Sequence, residues 1–171
     1  MIGCETFLTF NEKQKRTPKN HGYWDGKRGD SRFYSDDPKM KEMGAEYIEY
    51  VNGEPDFSPV SVCKFEIPSM TNDRLPYSTY YKSNYEQAYS VLSQKFNITE
   101  SEVKKWLKDN HYTLHEAFDQ KTIYVVPVEI HKKYIHAGGV AEVNSILNDE
   151  EEDAIIESVL NNNTDSELYS L

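Results

Sequence analysis

Hydrophobic and polar positions along this chain follow two different periods, and the switches between them mark the predicted elements. From Tyr47 to Val51 apolar residues recur imperfectly at every second position, Asn52-Gly53 follows as a hairpin-turn signal, and Phe57 to Phe65 resumes an extended, proline-broken pattern. These features predict a small antiparallel sheet. Over Asn84 to Phe96 the spacing lengthens, so that Tyr85, Ala88, Val91 and Leu92 fall on one helical face. A second helix is predicted from Thr99, where Thr99 and Glu102 match a capping box and Val103, Trp106 and Leu107 form one apolar stripe. Trp106 is expected to pack that helix against the unit that follows. Tyr112-Thr113-Leu114 and Ile123 to Val126 are two β-prone runs, and Pro127 then opens a helical stretch. The segment from about 110 to 140 therefore reads as a hairpin followed by a helix.

The flanking segments carry weaker signals. Residues 1–20 are polar after Phe7-Leu8, and Gly22 to Arg32 is a glycine-rich stretch with Trp24 and Arg28 interleaved. After Val143 the apolar groups Ile146-Leu147, Ala154-Ile155-Ile156 and Val159-Leu160 allow a short amphipathic helix within an acidic tail, residues 146–171. No internal repeat or second core is visible. The expected architecture is one α+β domain over residues 1–145, built of a small antiparallel sheet and helices; 171 residues with 37% hydrophobic content suffice for a real core.

Charge changes the picture of possible partners. A formal net charge of −10 opposes nonspecific attraction to a polyanion, but eight of the negatives lie after Asn148, where there is no Lys or Arg, which leaves only −2 for the body. Within that body Lys13, Lys15, Arg16, Lys19, Lys27, Arg28 and Arg32 form a basic N-terminal third. Lys104, Lys105, Lys108, Lys121, Lys132 and Lys133 lie within or just before the hairpin-helix segment and flank its candidate site. No run approaches the ~20 apolar residues of a membrane span, and residues 1–15 lack the pattern of a secretory leader. Cys4 and Cys63 are too few for a metal knuckle and read as free thiols of a cytoplasmic chain.

The chemistry concentrates in the hairpin-helix segment, which holds His115 and Glu116 at the end of its first strand and His131 in its helix. Two imidazoles with a carboxylate suit Zn²⁺, while the carboxylate also suits Mg²⁺ and Mn²⁺. Successive strand residues point to opposite faces, so His115 and Glu116 serve one site only if the strand ends or bulges there. A five-residue offset turns a side chain by about 140° beyond a full turn, so His136 joins His131 only if the helix ends between them. Otherwise His136 would contact a phosphate or cap the helix. His21 and His111 fit no ligand spacing and are expected to face solvent, and Asp119 is expected to form the hairpin loop.

The order Leu114-His115-Glu116, Val126-Pro127, His131 and His136-Ala137-Gly138-Gly139 resembles the HNH/endonuclease VII superfamily, the ββα-metal (His-Me finger) nucleases, and within it the bacterial polymorphic-toxin type. The run from Gly22 to Ser31 is similar to the segment that precedes the motif in those toxins. Two positions depart from the pattern: Leu114 stands where an aromatic is common and Thr122 where Asn is frequent.

The resemblance implies a divalent-metal-dependent endonuclease, with DNA favoured over RNA, no nucleotide cofactor, delivery into a target cell's cytoplasm and a cognate immunity protein. Carried over by position, His115 and His131 become ligands of a Mg²⁺, Mn²⁺ or Zn²⁺ ion, with His136 joining them if the helix stops early. Glu116 sits where the general base belongs; a solvated Glu is a weak base, with a reference pKa of ~4.3 that an apolar pocket raises. The opposite assignment, Glu116 on the metal and His115 as base, stays open at this point. Substrate contacts are expected from Arg28, Trp24 and Lys132, since an Arg beside an aromatic can bind phosphate and stack on a base. The competing reading of the first two is a tight loop whose Trp24 packs on the domain. Arg74 is a minor phosphate candidate, and the acidic tail a candidate phosphate mimic lying over the cleft. Two other classes fit the same residues: a non-catalytic module holding structural zinc, and an acidic interaction protein on the same fold.

Overall fold

The computed structural model describes residues 8–70 and 83–137. The acidic tail, Arg74, Cys4 and the Gly138-Gly139 pair lie outside the described residues. Helix α1 (Phe10–Lys15) precedes strands β1 (Gly22–Trp24) and β2 (Arg32–Ser35), helix α2 (Pro38–Glu42), and strands β3 (Tyr47–Val51) and β4 (Glu54–Pro55). A 3₁₀ turn at Ser58–Val60 leads to β5 (Cys63–Glu66). Helices α3 (Asn84–Phe96) and α4 (Glu100–Asp109) are followed by β6 (Tyr112–Glu116), β7 (Thr122–Pro127) and α5 (Val128–Lys133). The fold is α+β, as the patterning predicts.

The single small sheet becomes two. One is four-stranded, β1-β2-β3-β4, and the other three-stranded, β5-β7-β6, with antiparallel pairing throughout. The glycine-rich stretch expected as a loop contributes β1 and leads into β2. The extended run after Phe57 leaves the first sheet altogether, because Cys63 to Glu66 pair with Val125 to Thr122 far along the chain. Asn52 and Gly53 both adopt positive φ, 51° and 83°, as a two-residue hairpin turn with matched twist requires.

Strand β7 is shared by two cores because its side chains alternate in direction. Ile123 and Val125 face an aliphatic core completed by Phe65, Leu92, Val103, Leu107 and Leu114 under α3 and α4. Val126, with Tyr124 against its edge, faces an aromatic core of Phe33, Tyr50, Phe57, Ile130 and Tyr134 beneath the four-stranded sheet. Trp106 bridges α4 to β6 through Tyr112, 5.3 Å between ring centroids, in the packing role expected of it. The functional segment thus occupies the seam between two hydrophobic layers.

Capping explains the two helices that periodicity misses. In α1, Thr9 accepts from the Glu12 amide while the Glu12 carboxylate accepts from the Thr9 amide, and in α2 Asp37 caps a helix that Pro38 opens. The α3 and α4 helices carry the same reciprocal box at Ser83/Glu86 and Thr99/Glu102.

Candidate functional site

The period-2 alternation of β6 decides where its ionisable residues point. Leu114 enters the aliphatic core, so His115 must face the opposite layer, where it lies 4% exposed against Phe57. Glu116 is the last residue of the strand, and its carboxylate accepts a hydrogen bond from Asn84 Nδ2 at 3.2 Å. Because the strand stops there, His115 and Glu116 line one cleft of about 440 Å³ together with His131, His136, Lys132 and Tyr85.

Helix α5 ends at Lys133, and Tyr134 leaves the helical conformation with ψ 77°. That early stop answers the 140° objection. The chain turns back after α5 and returns His136 to the side on which His131 lies. His115 Nδ1 sits 3.3 Å from His131 Nε2 and 3.1 Å from His136 Nε2, and the three donor atoms lie within 4.8 Å of one another. Phe57, fully buried, forms the floor: its ring meets His115, His131 and His136 at centroid distances of 4.8, 5.6 and 5.5 Å.

Burial keeps these imidazoles neutral. Desolvation, followed by the neighbouring His136 and His131, holds His115 down at about 2 from an ordinary 6.5. His136 is held at about 4 for the same leading reason, partly offset by its bond to the Tyr134 carbonyl, and His131 is also lowered by burial. Neutral imidazole is the form that binds metals.

The hydrogen-bond arithmetic of the cluster is informative. His136 Nδ1 lies 2.9 Å from the Tyr134 carbonyl, a contact that needs a proton on Nδ1 and leaves the Nε2 lone pair of a neutral ring facing inward. To bond that lone pair His115 Nδ1 must carry a proton, and it then has nothing in the ring plane to offer His131. No combination of neutral tautomers gives each close contact its own two-centre hydrogen bond; one proton on His115 Nδ1 would have to be shared between both. Two of the three donor separations, 3.3 and 3.1 Å, match the roughly 3.3 Å between ligand atoms on a tetrahedral ion with bonds near 2.05 Å, and the His131–His136 pair, within 4.8 Å, would close to the same spacing on an ion. Three protein donors leave room for a further ligand. The residues present therefore fit a divalent ion.

A family model for the DNase/tRNase domain of colicin-like bacteriocins matches residues 47–138. The chain belongs to the colicin DNase family. The match runs from β3 past α5 and takes in all three clustered histidines, Glu116 and Phe57. The family makes this chain a nuclease domain of toxin type within the HNH superfamily. No curated protein and no solved structure matches it. Among the described residues no helix is long and apolar enough to cross a membrane.

The other sequence candidates are placed differently. Arg28 does not face the histidine cleft as a phosphate ligand: its Nε donates to Thr17 Oγ1 at 3.1 Å, and its Nη2 to the carbonyls of Gln14 and Thr17 at 2.6 and 3.1 Å. Trp24 packs on Phe33 and Tyr50 and donates its indole N–H to the Pro18 carbonyl, so its ring is committed to the domain. Both side chains are held within the domain, outside the lining of the histidine cleft. Asp25 and Asp30 accept from backbone amides of Arg32 and Asn52 rather than from Arg28. Lys132 is exposed on α5 and lines the cleft. His21 and His111 are exposed, and Cys63 is a free, half-buried thiol. Asp119 closes the hairpin loop by accepting from the Lys121 and Thr122 amides and the Thr122 hydroxyl, which gives Thr122 a local partner.

Three contributors were not read from sequence. Phe57 floors the cluster, Asn84 holds Glu116, and Tyr85 donates its hydroxyl to the Leu114 carbonyl at 3.1 Å beside the cleft. A signal existed for Asn84, since the Ser83/Glu86 capping box fixes it as the first residue of α3.

Proposed function

We propose that this domain is a divalent-metal-dependent endonuclease that hydrolyses phosphodiester bonds in DNA, with His115, His131 and His136 as the metal ligands and Glu116 as the general base. The observation that carries the reading is the convergence of three buried, neutral ring nitrogens within 4.8 Å of one another, around a His115 Nδ1 that has one proton at most for two partners. The ion, when bound, supplies a Lewis acid for a phosphate oxygen and for the leaving oxygen.

The remaining roles belong to the chain itself. The Tyr134 carbonyl fixes the His136 tautomer and aims Nε2 inward, the usual arrangement behind a metal-binding His. Phe57 excludes water from beneath the rings and limits their rotation. Asn84 orients the Glu116 carboxylate toward the cleft, where it takes a proton from the attacking water. Lys132, at the cleft rim, attracts the substrate's phosphates. His115, drawn into the cluster through Nδ1 and nearly inaccessible, suits a ligand better than a base, which favours Glu116 in the second role.

As a toxin domain of this family the chain is proposed to act in a target cell's cytoplasm and to be neutralised by a cognate immunity protein in its producer. The test is a nicking assay on supercoiled plasmid with Mg²⁺, Mn²⁺, Zn²⁺ or EDTA, on the parent and on His115→Ala, beside a structured RNA substrate. Metal-dependent nicking lost in the variant is the expected result. Nicking that survives EDTA ends the metal reading, and preferential RNA cleavage ends the DNA assignment.

A further inference from the structure

A second cleft of about 540 Å³ adjoins the histidine cleft, and Lys132 and Ile135 line both. Its opposite wall is the end of α1 and the segment that follows it, which present Lys15 and Lys19. We infer that this N-terminal segment is a phosphate-binding wall, and that a DNA duplex cut at the histidine site continues across Lys132 to lie against Lys15 and Lys19. The inference rests on the nuclease reading of the neighbouring site, and the wall itself, Lys15 and Lys19, precedes the family match at 47–138.

The charges facing this cleft are unequal. Lys133 also lines it, but its ammonium lies 3.6 Å from Asp36 and 3.8 Å from Asp37, and Asp36 lies 4.0 Å from His21 at the same rim. Lys133 is thus committed to two carboxylates, and this rim of the cleft carries no surplus positive charge. Lys15, Lys19 and Lys132 are exposed, and none of them makes an ion pair with a carboxylate of the described residues. Three exposed ammonium groups without an ion pair, Lys15 opposed only through space by Glu12 one turn earlier, therefore bracket a groove that opens into the proposed cleavage site, in a chain whose overall charge is negative.

The wall is also held in place, which separates it from a loose basic arm. Arg28 binds the carbonyls of Gln14 and Thr17, Gln14 Nε2 donates back to the Arg28 carbonyl at 2.7 Å, and Trp24 binds the Pro18 carbonyl. Lys13 is buried against Glu54 at 3.4 Å. Gly53 lets the two segments approach, since a Cβ there would sit 2.4 Å from Lys13 Cβ. Arg28 and Trp24 thus act on substrate indirectly, as positioning residues for Lys15 and Lys19. Ordering the wall before binding lowers the entropy lost when the duplex docks.

The experiment measures binding of a fluorescent DNA duplex several helical turns long, in EDTA so that no cleavage occurs, across a range of salt concentrations. The parent is compared with Lys15→Gln/Lys19→Gln and with the control Lys64→Gln/Lys108→Gln, which removes the same charge from exposed positions outside both clefts. Losing two phosphate contacts should flatten the slope of log K against log salt by about 1.8 and weaken binding at moderate salt roughly tenfold. In metal-supported nicking the loss should fall on KM and not on kcat. An unchanged slope, an equal loss in the control pair, or a parent that does not bind duplex overturns the inference. Metal-dependent nicking with an unchanged slope removes this inference and leaves the cleavage reading intact. A flattened slope in a parent that never nicks does the reverse.

Discussion

The two cores that share β7 are built of different material at their edges. The aliphatic core under α3 and α4 is closed by Leu92, Val103, Leu107 and Leu114, side chains with no polar atom to satisfy. The aromatic core beneath the four-stranded sheet ends at Phe57, on which three imidazoles converge. Strand β7 feeds both, and on its neighbour β6 a step of one residue from Leu114 to His115 moves a side chain from the aliphatic layer to the one that holds the proposed site. The lesson is that the site needs the aromatic layer as a floor. Imidazoles can lie there because burial keeps them neutral, the form in which the proposed site would hold a cation.

The sharpest way to break the comparison is to remove a ligand. His131→Ala should lower nicking by more than about 100-fold and abolish tight Zn²⁺ or Mn²⁺ binding, since even outer-sphere changes at metal sites cost 10- to 100-fold. Thermal stability without metal should change little by comparison. Retained metal affinity measured by titration calorimetry would remove His131 from the centre. Glu116→Gln should separate the two functions of the β6 end: kcat falls by about 10²-fold or more while metal affinity is kept. Loss of metal in that variant would instead make Glu116 a ligand.

The cores themselves can be exchanged as targets. Leu92→Ala, in the aliphatic layer, should cost about 2–5 kcal/mol of unfolding free energy and leave metal affinity per folded molecule unaltered. Phe57→Ala, of about 3–5 kcal/mol, should weaken metal binding as well, because the rings lose their floor. Urea denaturation combined with metal titration distinguishes them, and equal effects on affinity would erase the contrast drawn between the layers.

A smaller effect comes from protons. His115 and His136 titrate at about 2 and about 4 in the folded chain, against 6.5 when exposed. Between those values the unfolded chain takes up protons that the folded chain refuses, so stability is intact above pH 6.5 and is lost as pH falls. The urea midpoint of the metal-free domain should drop from pH 7 to pH 5, with a flatter drop in His115→Leu. A midpoint that rises on acidification would contradict the burial argument.

Much of the functional segment was legible because its signals are local. The β-prone runs around 112–116 and 122–127, Pro127 at the head of α5, and the stripes of α3 and α4 all follow from spacing within a few residues. What stayed hidden depends on distance or on length. Helices α1 and α2 have six and five residues, too short to show a periodic stripe, and their caps are the only local sign of them. The transfer of β5 to a sheet with β7 joins segments some sixty residues apart, and no periodicity names a strand's partner. Arg28 looked like a phosphate ligand because its own carbonyl partners, Gln14 and Thr17, are eleven to fourteen residues away. His136 joins the cluster only because the helix stops, and Tyr134 is where it does.

The most direct test of the central claim is a zinc-bound crystal structure of the domain, located by anomalous scattering. The account predicts one ion held by His115 Nδ1, His131 Nε2 and His136 Nε2 at about 2.0–2.1 Å, with a remaining position open toward Glu116 and Lys132. An ion bound elsewhere, or a cluster in which His115 presents Nε2 or turns away, would contradict it.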